Sequence, residues 1–312
     1  MIRTDRLARV TPTRRRAFAL LALAALVAAA PAAGQQLDPG AYTPAPAGIN
    51  VLVLSNTLQG GDLSFDPSGP IEDASATINA SAVGYVRSLG LWGRSANIGA
   101  YVPYLLGDVE GLYLKTFQQV HRSGLGDAQV RISVNVAGAP AMTPREFADY
   151  RPRTVVGVSL TAVVPTGQYS NAKLINIGTN RWSFKPEIGI THTAGPWRAE
   201  VFLGVWLFTD NHDFAGGRTR KQDPILSTQF HLTRTFRRGL WAAFNANFYT
   251  GGRTTINGTP NLDLQRNSRV GATVALPLGR AQALKIAYSR GAYTTIGADF
   301  DSLGVSYTYA WR

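Results

Sequence analysis

The chain has 312 residues, no cysteine, 45% hydrophobic and 16% charged residues, and a formal net charge of +12. Without cysteine there can be no disulfide, zinc–thiolate centre or cysteine nucleophile. The positive charge is spread along the chain and forms no basic run after the first 16 residues, which argues against a nucleic-acid partner.

Residues 1–34 read as a cleaved signal peptide. Arg3, Arg6, Arg9, Arg14, Arg15 and Arg16 precede an apolar run from Ala17 to Ala30, and small residues follow at Ala32, Ala33 and Gly34. The run is long enough for an export signal and too short for a membrane helix. Its removal takes away six arginines and one aspartate, leaving 25 basic and 18 acidic residues, net +7. Residues 35–48, with Pro39, Pro44 and Pro46, read as an extended periplasmic lead-in.

From residue 49 onward, segments of about ten residues alternate apolar and polar side chains. Candidate strands are 49–58, 74–87, 95–106, 127–136, 153–164, 181–193, 197–208, 225–236, 240–250, 268–278, 282–290 and 301–311. In the last, Leu303, Val305, Tyr307, Tyr309 and Trp311 share one face, while Ser302, Gly304, Ser306, Thr308 and Ala310 share the other. Connectors 59–73, 107–126, 165–180, 209–224, 251–267 and 291–300 are long. Those at 194–196, 237–239 and 279–281 are tight turns. Strands of that length with long and short connectors in alternation predict a transmembrane antiparallel β-barrel of about 12 strands, all-β in class, over residues 49–312. Connector 137–152 breaks the rhythm. Its Thr143-Pro144-Arg145-Glu146 places an N-cap, an N1 proline and a capping-box glutamate, so it is expected to form one short periplasmic helix.

The faces assign the charges. Arg or Lys on a lipid face costs about 2–4 kcal/mol at mid-bilayer, so Arg131, Lys185, Glu187, Arg198, Glu200 and Lys285, which share lumen parity with Ser183, Gly189 and Thr191, are expected to line the pore. The competing role is mutual pairing that fills a narrow barrel. Trp182, Trp197, Trp206, Trp241, Trp311, Tyr104, Tyr249 and Tyr309 near strand ends are candidates for the aromatic girdles, although Trp206 and Trp241 have lumen parity. In the outer connector, Asn176, Gly178, Asn180 and Arg181 are candidates for an inward-folded gating loop, the first three because they tolerate tight turns and positive φ. Connector 209–224 mixes Asp210, His212, Asp213 and Asp223 with Arg218, Arg220 and Lys221. That is either a solvated mixed-charge loop or a contact for calcium or lipopolysaccharide phosphate. Of the four histidines, His231 alone has inward parity and polar neighbours that would suit a general base. No nucleophile-elbow or paired-histidine metal motif accompanies it, and no cofactor motif is present.

Val164-Pro165-Thr166-Gly167-Gln168-Tyr169 and the run Leu174 to Gly189, which contains Asn176-Ile177-Gly178-Thr179-Asn180-Arg181-Trp182, resemble the outer-membrane family labelled by the meta-pathway of phenol degradation. Thr143-Pro144-Arg145-Glu146-Phe147, Gly195-Pro196-Trp197 and Gly204 to Asn211 extend the similarity, which is dense over about 140–215. The resemblance implies an outer-membrane barrel of transporter type, associated with the breakdown of aromatic compounds. The resulting expectation is a passive channel or facilitator for small solutes, aromatic ones among them, with no catalytic site. Its partners would be outer-membrane lipid, lipopolysaccharide, the barrel assembly machinery and the solute. The alternatives are a blocked-lumen structural barrel of the envelope and an outer-membrane lipid hydrolase using His231.

Overall fold

The computed structural model describes residues 37–64, 71–173, 175–279 and 281–312; the segment read as a signal peptide lies outside these. Along the chain run β1 (Asn50–Ser64), β2 (Ile71–Leu91), β3 (Arg94–Tyr113), β4 (Thr116–Leu125), β5 (Ala128–Ala137), α1 (Pro144–Asp149), β6 (Thr154–Val164), β7 (Ser183–Ala194) and β8 (Trp197–Phe208). There follow β9 (Asn211–Phe214), β10 (Arg218–Gln222), β11 (Ile225–Arg237), β12 (Leu240–Gly251), β13 (Thr254–Ile256), β14 (Thr259–Pro260), β15 (Gln265–Pro277), β16 (Gln282–Tyr293) and β17 (Gly297–Trp311).

The main sheet closes on itself. β1 pairs with β2 on one side and with β17 on the other, in unbroken antiparallel register from Asn50↔Trp311 to Ser64↔Gly297. β4 and β5 act as one stave. β4 pairs with the outer half of β3 and β5 with its inner half, and the step between them falls at Gly126-Asp127. Counted so, the barrel has twelve staves. Closure satisfies the backbone polar groups that an open edge would leave in hydrocarbon.

Side chains obey the period-two expectation. On β8, Val201, Leu203 and Leu207 face out and are 42–49% exposed, whereas Glu200, Phe202 and Trp206 are buried inside. On β12, Phe244 and Phe248 face out while Asn245, Asn247 and Tyr249 are buried. Trp182, Trp197, Trp311, Tyr104 and Tyr309 are on the outer surface; Trp206 and Tyr249 point into the lumen and leave the girdle. Tyr309 stacks on Trp311 and Trp311 meets Tyr85 across the barrel seam, a cluster at the rim where β1 begins and β17 ends.

Three expectations need correction. The outer connectors 59–73 and 107–126 are not loops for most of their length. β2 runs for 21 residues and β3 for 20, about twice a membrane crossing, so a polar wall of β17, β1, β2, β3 and β4 stands above the bilayer. Connectors 209–224 and 251–267 are not irregular either: they build a separate four-stranded sheet, β14-β13-β10-β9, over the outer mouth. The third concerns residues 37–48, which do not trail away on the periplasmic side. They turn back into the lumen as a strap, because their polar backbone finds partners among the interior side chains.

α1 forms at the expected place. Thr143 accepts from the Glu146 amide, and Glu146 takes both the amide and the hydroxyl of Thr143, bonds that hold its carboxyl below the usual range. The closed cylinder makes a direct prediction. Leu203→Arg, at the middle of β8 and facing lipid, should destabilise the barrel by about 2–4 kcal/mol, read from urea unfolding in vesicles.

Candidate functional site

The strap enters at the rim, where the Ala47 amide bonds the Met142 carbonyl and the Gly48 amide bonds the Ser88 carbonyl, at 2.8 and 2.9 Å. It then climbs inside the wall. The Gly40 amide donates to Glu200 Oε2 at 3.0 Å, and the Asp38 amide donates to Gln229 Oε1 at 3.1 Å. Tyr42 anchors it. The ring is 1% exposed and packs edge-on to Phe202 at 5.1 Å, and the hydroxyl bonds Ser159 at 2.9 Å and Glu187 at 3.1 Å. The ring fits because two wall residues lack a side chain: a Cβ on Gly157 would lie 2.1 Å from Tyr42, and one on Gly189 would lie 2.2 Å from it.

Around this anchor the expected pore-lining charges pair. Lys185 Nζ sits 2.6 Å from Glu187, and Arg131 lies 3.6 Å from the same carboxylate with its guanidinium over the Tyr42 ring at 5.1 Å. Arg198 meets Glu200 at 3.2 Å and reaches Thr43 of the strap. Glu200 is fully buried, and the Gly40 amide and the Thr191 hydroxyl add to its compensation. Burial of such carboxylates is tolerated only with this density of partners. Lys285, by contrast, faces a cavity of about 460 Å³ that it shares with Asp38, Tyr101, Arg131, Lys185 and Glu187. Five of the six residues therefore pair in two clusters that the strap bonds separately, and Lys285 faces the cavity across open space.

The outer mouth is tied down by a residue that sequence reasoning passed over. Asp127, at the step between β4 and β5, accepts from the Gly167 amide, the Thr179 amide and the Thr179 hydroxyl at 2.8, 2.8 and 2.6 Å. This folds 165–182 inward over the barrel. Of the proposed turn-formers, only Asn180 takes a left-handed conformation, at φ 53°. Asn176 instead clamps the loop through its side chain, accepting from the Ser170 amide and donating to the Ser170 and Lys173 carbonyls. Gly178 is needed for close approach, since a Cβ there would lie 2.7 Å from Gly167. Asn180 donates to Asn211 of the cap sheet at 3.0 Å.

Arg181 is 4% exposed, lies 4.4 Å over the Phe208 ring and donates through Nη2 to Gln222 of β10. Burial and then the like charge of Arg220 push its pKa well below the ordinary guanidinium value. Beneath it, Trp206, Ile225 and Tyr249 form an apolar cluster with Val163 and Phe208 at its edge. In the 209–224 segment, Asp210 pairs with Lys221 at 3.1 Å and Asp213 accepts from Asn171, so its charges serve the cap.

His231 is fully buried. Nδ1 contacts Asn245 Oδ1 at 2.8 Å, its ring lies 5.1 Å from Phe202, and Nε2 has no partner. Among the described residues, no hydroxyl stands at hydrogen-bond distance from either ring nitrogen, so these residues do not assemble the arrangement expected of an activated nucleophile. Tyr42 and Asp127 were not singled out from sequence, and Gly189 was read only as a lumen-facing position. The short glycine-bearing stretches on otherwise branched strands are the one signal that pointed towards a bulky neighbour.

A model of the family described as "Putative MetA-pathway of phenol degradation" matches residues 55–309. Among solved structures, an outer-membrane channel from Pseudomonas putida F1 is 19% identical, with a TM-score of 0.74, over 88% of this chain and 100% of the other. The translocator domain of the autotransporter NalP from Neisseria meningitidis is 10% identical, with a TM-score of 0.51, covering 86% and 89%. The transport unit of the autotransporter AIDA-I from Escherichia coli is 7% identical, with a TM-score of 0.51, covering 95% and 98%. No curated protein matches the chain. These likenesses establish an outer-membrane barrel fold.

Two outcomes follow from the geometry. Gly189→Ala should expel Tyr42 from its notch, so that a lone cysteine introduced at Ala41 reacts with maleimide several-fold faster than in the parent background. Asp127→Ala removes three charge-assisted bonds, each worth about 1.5–3 kcal/mol in a buried setting. It should expose 165–182 to limited proteolysis while the barrel stays folded by its heat-dependent gel mobility.

Proposed function

The chain belongs to the "Putative MetA-pathway of phenol degradation" family, and from that membership and the lumen's construction we propose that it is a passive channel or facilitator for small solutes, aromatic compounds among them. The observation that carries this reading is the nature of the obstruction. The lumen is crossed by a strap of about a dozen residues that belongs to no stave and is held by hydrogen bonds and one buried tyrosine. A plug of that kind can yield without breaking the cylinder. Beside it lies the 460 Å³ cavity, within the range of small-molecule sites. The paired charges of the lumen, Lys185–Glu187 and Arg198–Glu200, would give a polar, nearly neutral path suited to small uncharged or weakly polar molecules.

The chain would reach its place with the help of the barrel assembly machinery after signal removal, and its high outer wall would stand among lipopolysaccharide. A second reading, a closed barrel serving the envelope, is favoured by the depth at which Tyr42 is seated. The lipid-hydrolase alternative has no comparable support, because His231 lacks a nucleophile beside it.

Planar-bilayer recording separates the first two readings. The channel reading expects small, intermittent conductance from the parent protein, and a several-fold increase in open time or conductance from Tyr42→Ala. A parent and a Tyr42→Ala variant that both stay silent, and that admit no phenol into proteoliposomes, would favour the closed envelope barrel.

A further inference from the structure

The two halves of the lumen differ in how their charges are compensated. Deep inside, Arg131, Lys185 and Arg198 each lie within ion-pair distance of a carboxylate. At the outer mouth, Arg181 has none within ion-pair distance among the described residues, although it is only 4% exposed. The nearby acids are already engaged: both Asp127 oxygens accept bonds from the loop, and Asp210 pairs with Lys221. Arg220, of the same sign, acts on it more strongly than either of the opposing charges, Asp127 and Asp210, neither of which pairs with it. A buried guanidinium in that position is strongly disfavoured unless an anion joins it.

Three of its features specify the anion. First, Nε and Nη1 have no partner, and Nη2 is held only by the neutral carboxamide oxygen of Gln222, which is half-buried on the short cap strand β10. Displacing that oxygen frees Nη2 together with either neighbouring nitrogen, a two-point fork that matches a carboxylate. Second, the guanidinium lies on Phe208, which borders the cluster of Trp206, Ile225 and Tyr249. A ligand seated on the fork therefore has a flat apolar wall beside it. Third, the indole Nε1 of Trp206 is buried without an acceptor. The wall offers aromatic faces and unused donors together.

We propose that Arg181, with Gln222 as a displaceable placeholder and Trp206 and Phe208 as the ring platform, forms a binding site for aromatic carboxylates of the benzoate class at the outer mouth of the barrel. The inference rests on the channel reading, for which it names a substrate class. It assigns Arg181 as a specificity-determining residue in place of a purely loop-folding one.

The test is a titration of the intact, detergent-solubilised protein with benzoate, acetate and benzyl alcohol, followed by tryptophan fluorescence and calorimetry. Benzoate should bind at least tenfold more tightly than either acetate or benzyl alcohol. Arg181→Gln should remove that preference. Gln222→Glu, which supplies a carboxylate from within the protein, should weaken benzoate binding at least tenfold while leaving the thermal midpoint at or above that of the parent. Folding failure of the arginine variant therefore cannot hide the answer. Equal binding of benzoate and acetate, which would mark a simple ion site, overturns the proposal, and so does equal binding of benzoate and benzyl alcohol. Unchanged benzoate affinity in Gln222→Glu overturns it as well. Bilayer silence would bear on the channel reading alone, since the titration needs no transport.

Discussion

Every feature of this molecule follows from the absence of water around its wall. A peptide group in hydrocarbon has no partner other than another peptide group, so the sheet must close, and the fifteen-residue seam between β1 and β17 is where it does so. Closure then fixes the rest. With successive side chains on opposite faces, every residue is committed to lipid or lumen. A one-residue slip in pairing register would put a whole strand's side chains on the wrong side. The outer surface can use only apolar groups and rim aromatics, and the charges are left to the interior.

An interior so crowded with charge cannot stay empty. Glu187 and Glu200 are held by Lys185, Arg131 and Arg198, and the strap completes both networks. The Tyr42 hydroxyl reaches Glu187, and the Gly40 amide reaches Glu200. The strap is thus a set of donors delivered to carboxylates that the staves alone leave short of partners. Its attachment is polar and local, and a few named contacts decide whether the lumen is obstructed. In a barrel plugged by a packed domain, the same decision would be shared among many contacts.

How far the sequence disclosed this depends on the range of each interaction. Alternation is a property of neighbours, so the staves, their faces and the inward parity of Lys185, Glu187, Arg198 and Glu200 could all be read directly. The capping box of α1 is equally local, spanning Thr143 to Glu146. The strap was hidden because its proline-rich composition is that of a linker, while its receptors Ser159, Glu187, Glu200 and Gln229 lie more than a hundred residues away. The cap sheet escaped notice for a different reason: strands of two to five residues are too short to show a period. The tall outer wall was missed because above the bilayer both faces meet water, so the apolar half of the alternation disappears although the strand continues. Tyr249 and Trp206 show the limit of a residue-type rule. Placement near a strand end suggested the girdle, but their parity sends them inward, and parity decides because it is geometric.

The same parity argument gives the lumen a direction. Its inner half brings opposite charges to within 2.6–3.6 Å of one another and presents a solute with little net field. Its outer half stacks guanidinium groups on aromatic rings, Arg181 on Phe208 and Arg220 on Phe214, beneath a cap whose carboxylates are largely engaged in holding loops. Coulomb interactions strengthen as water is excluded, so this outer half is where the barrel can discriminate by charge, and the inner half is where it can discriminate by size. A molecule entering from outside would meet selection first and obstruction second. That order suits a facilitator which must admit scarce solutes and keep the bilayer sealed between passages, because the strap need yield only to what the mouth has already held.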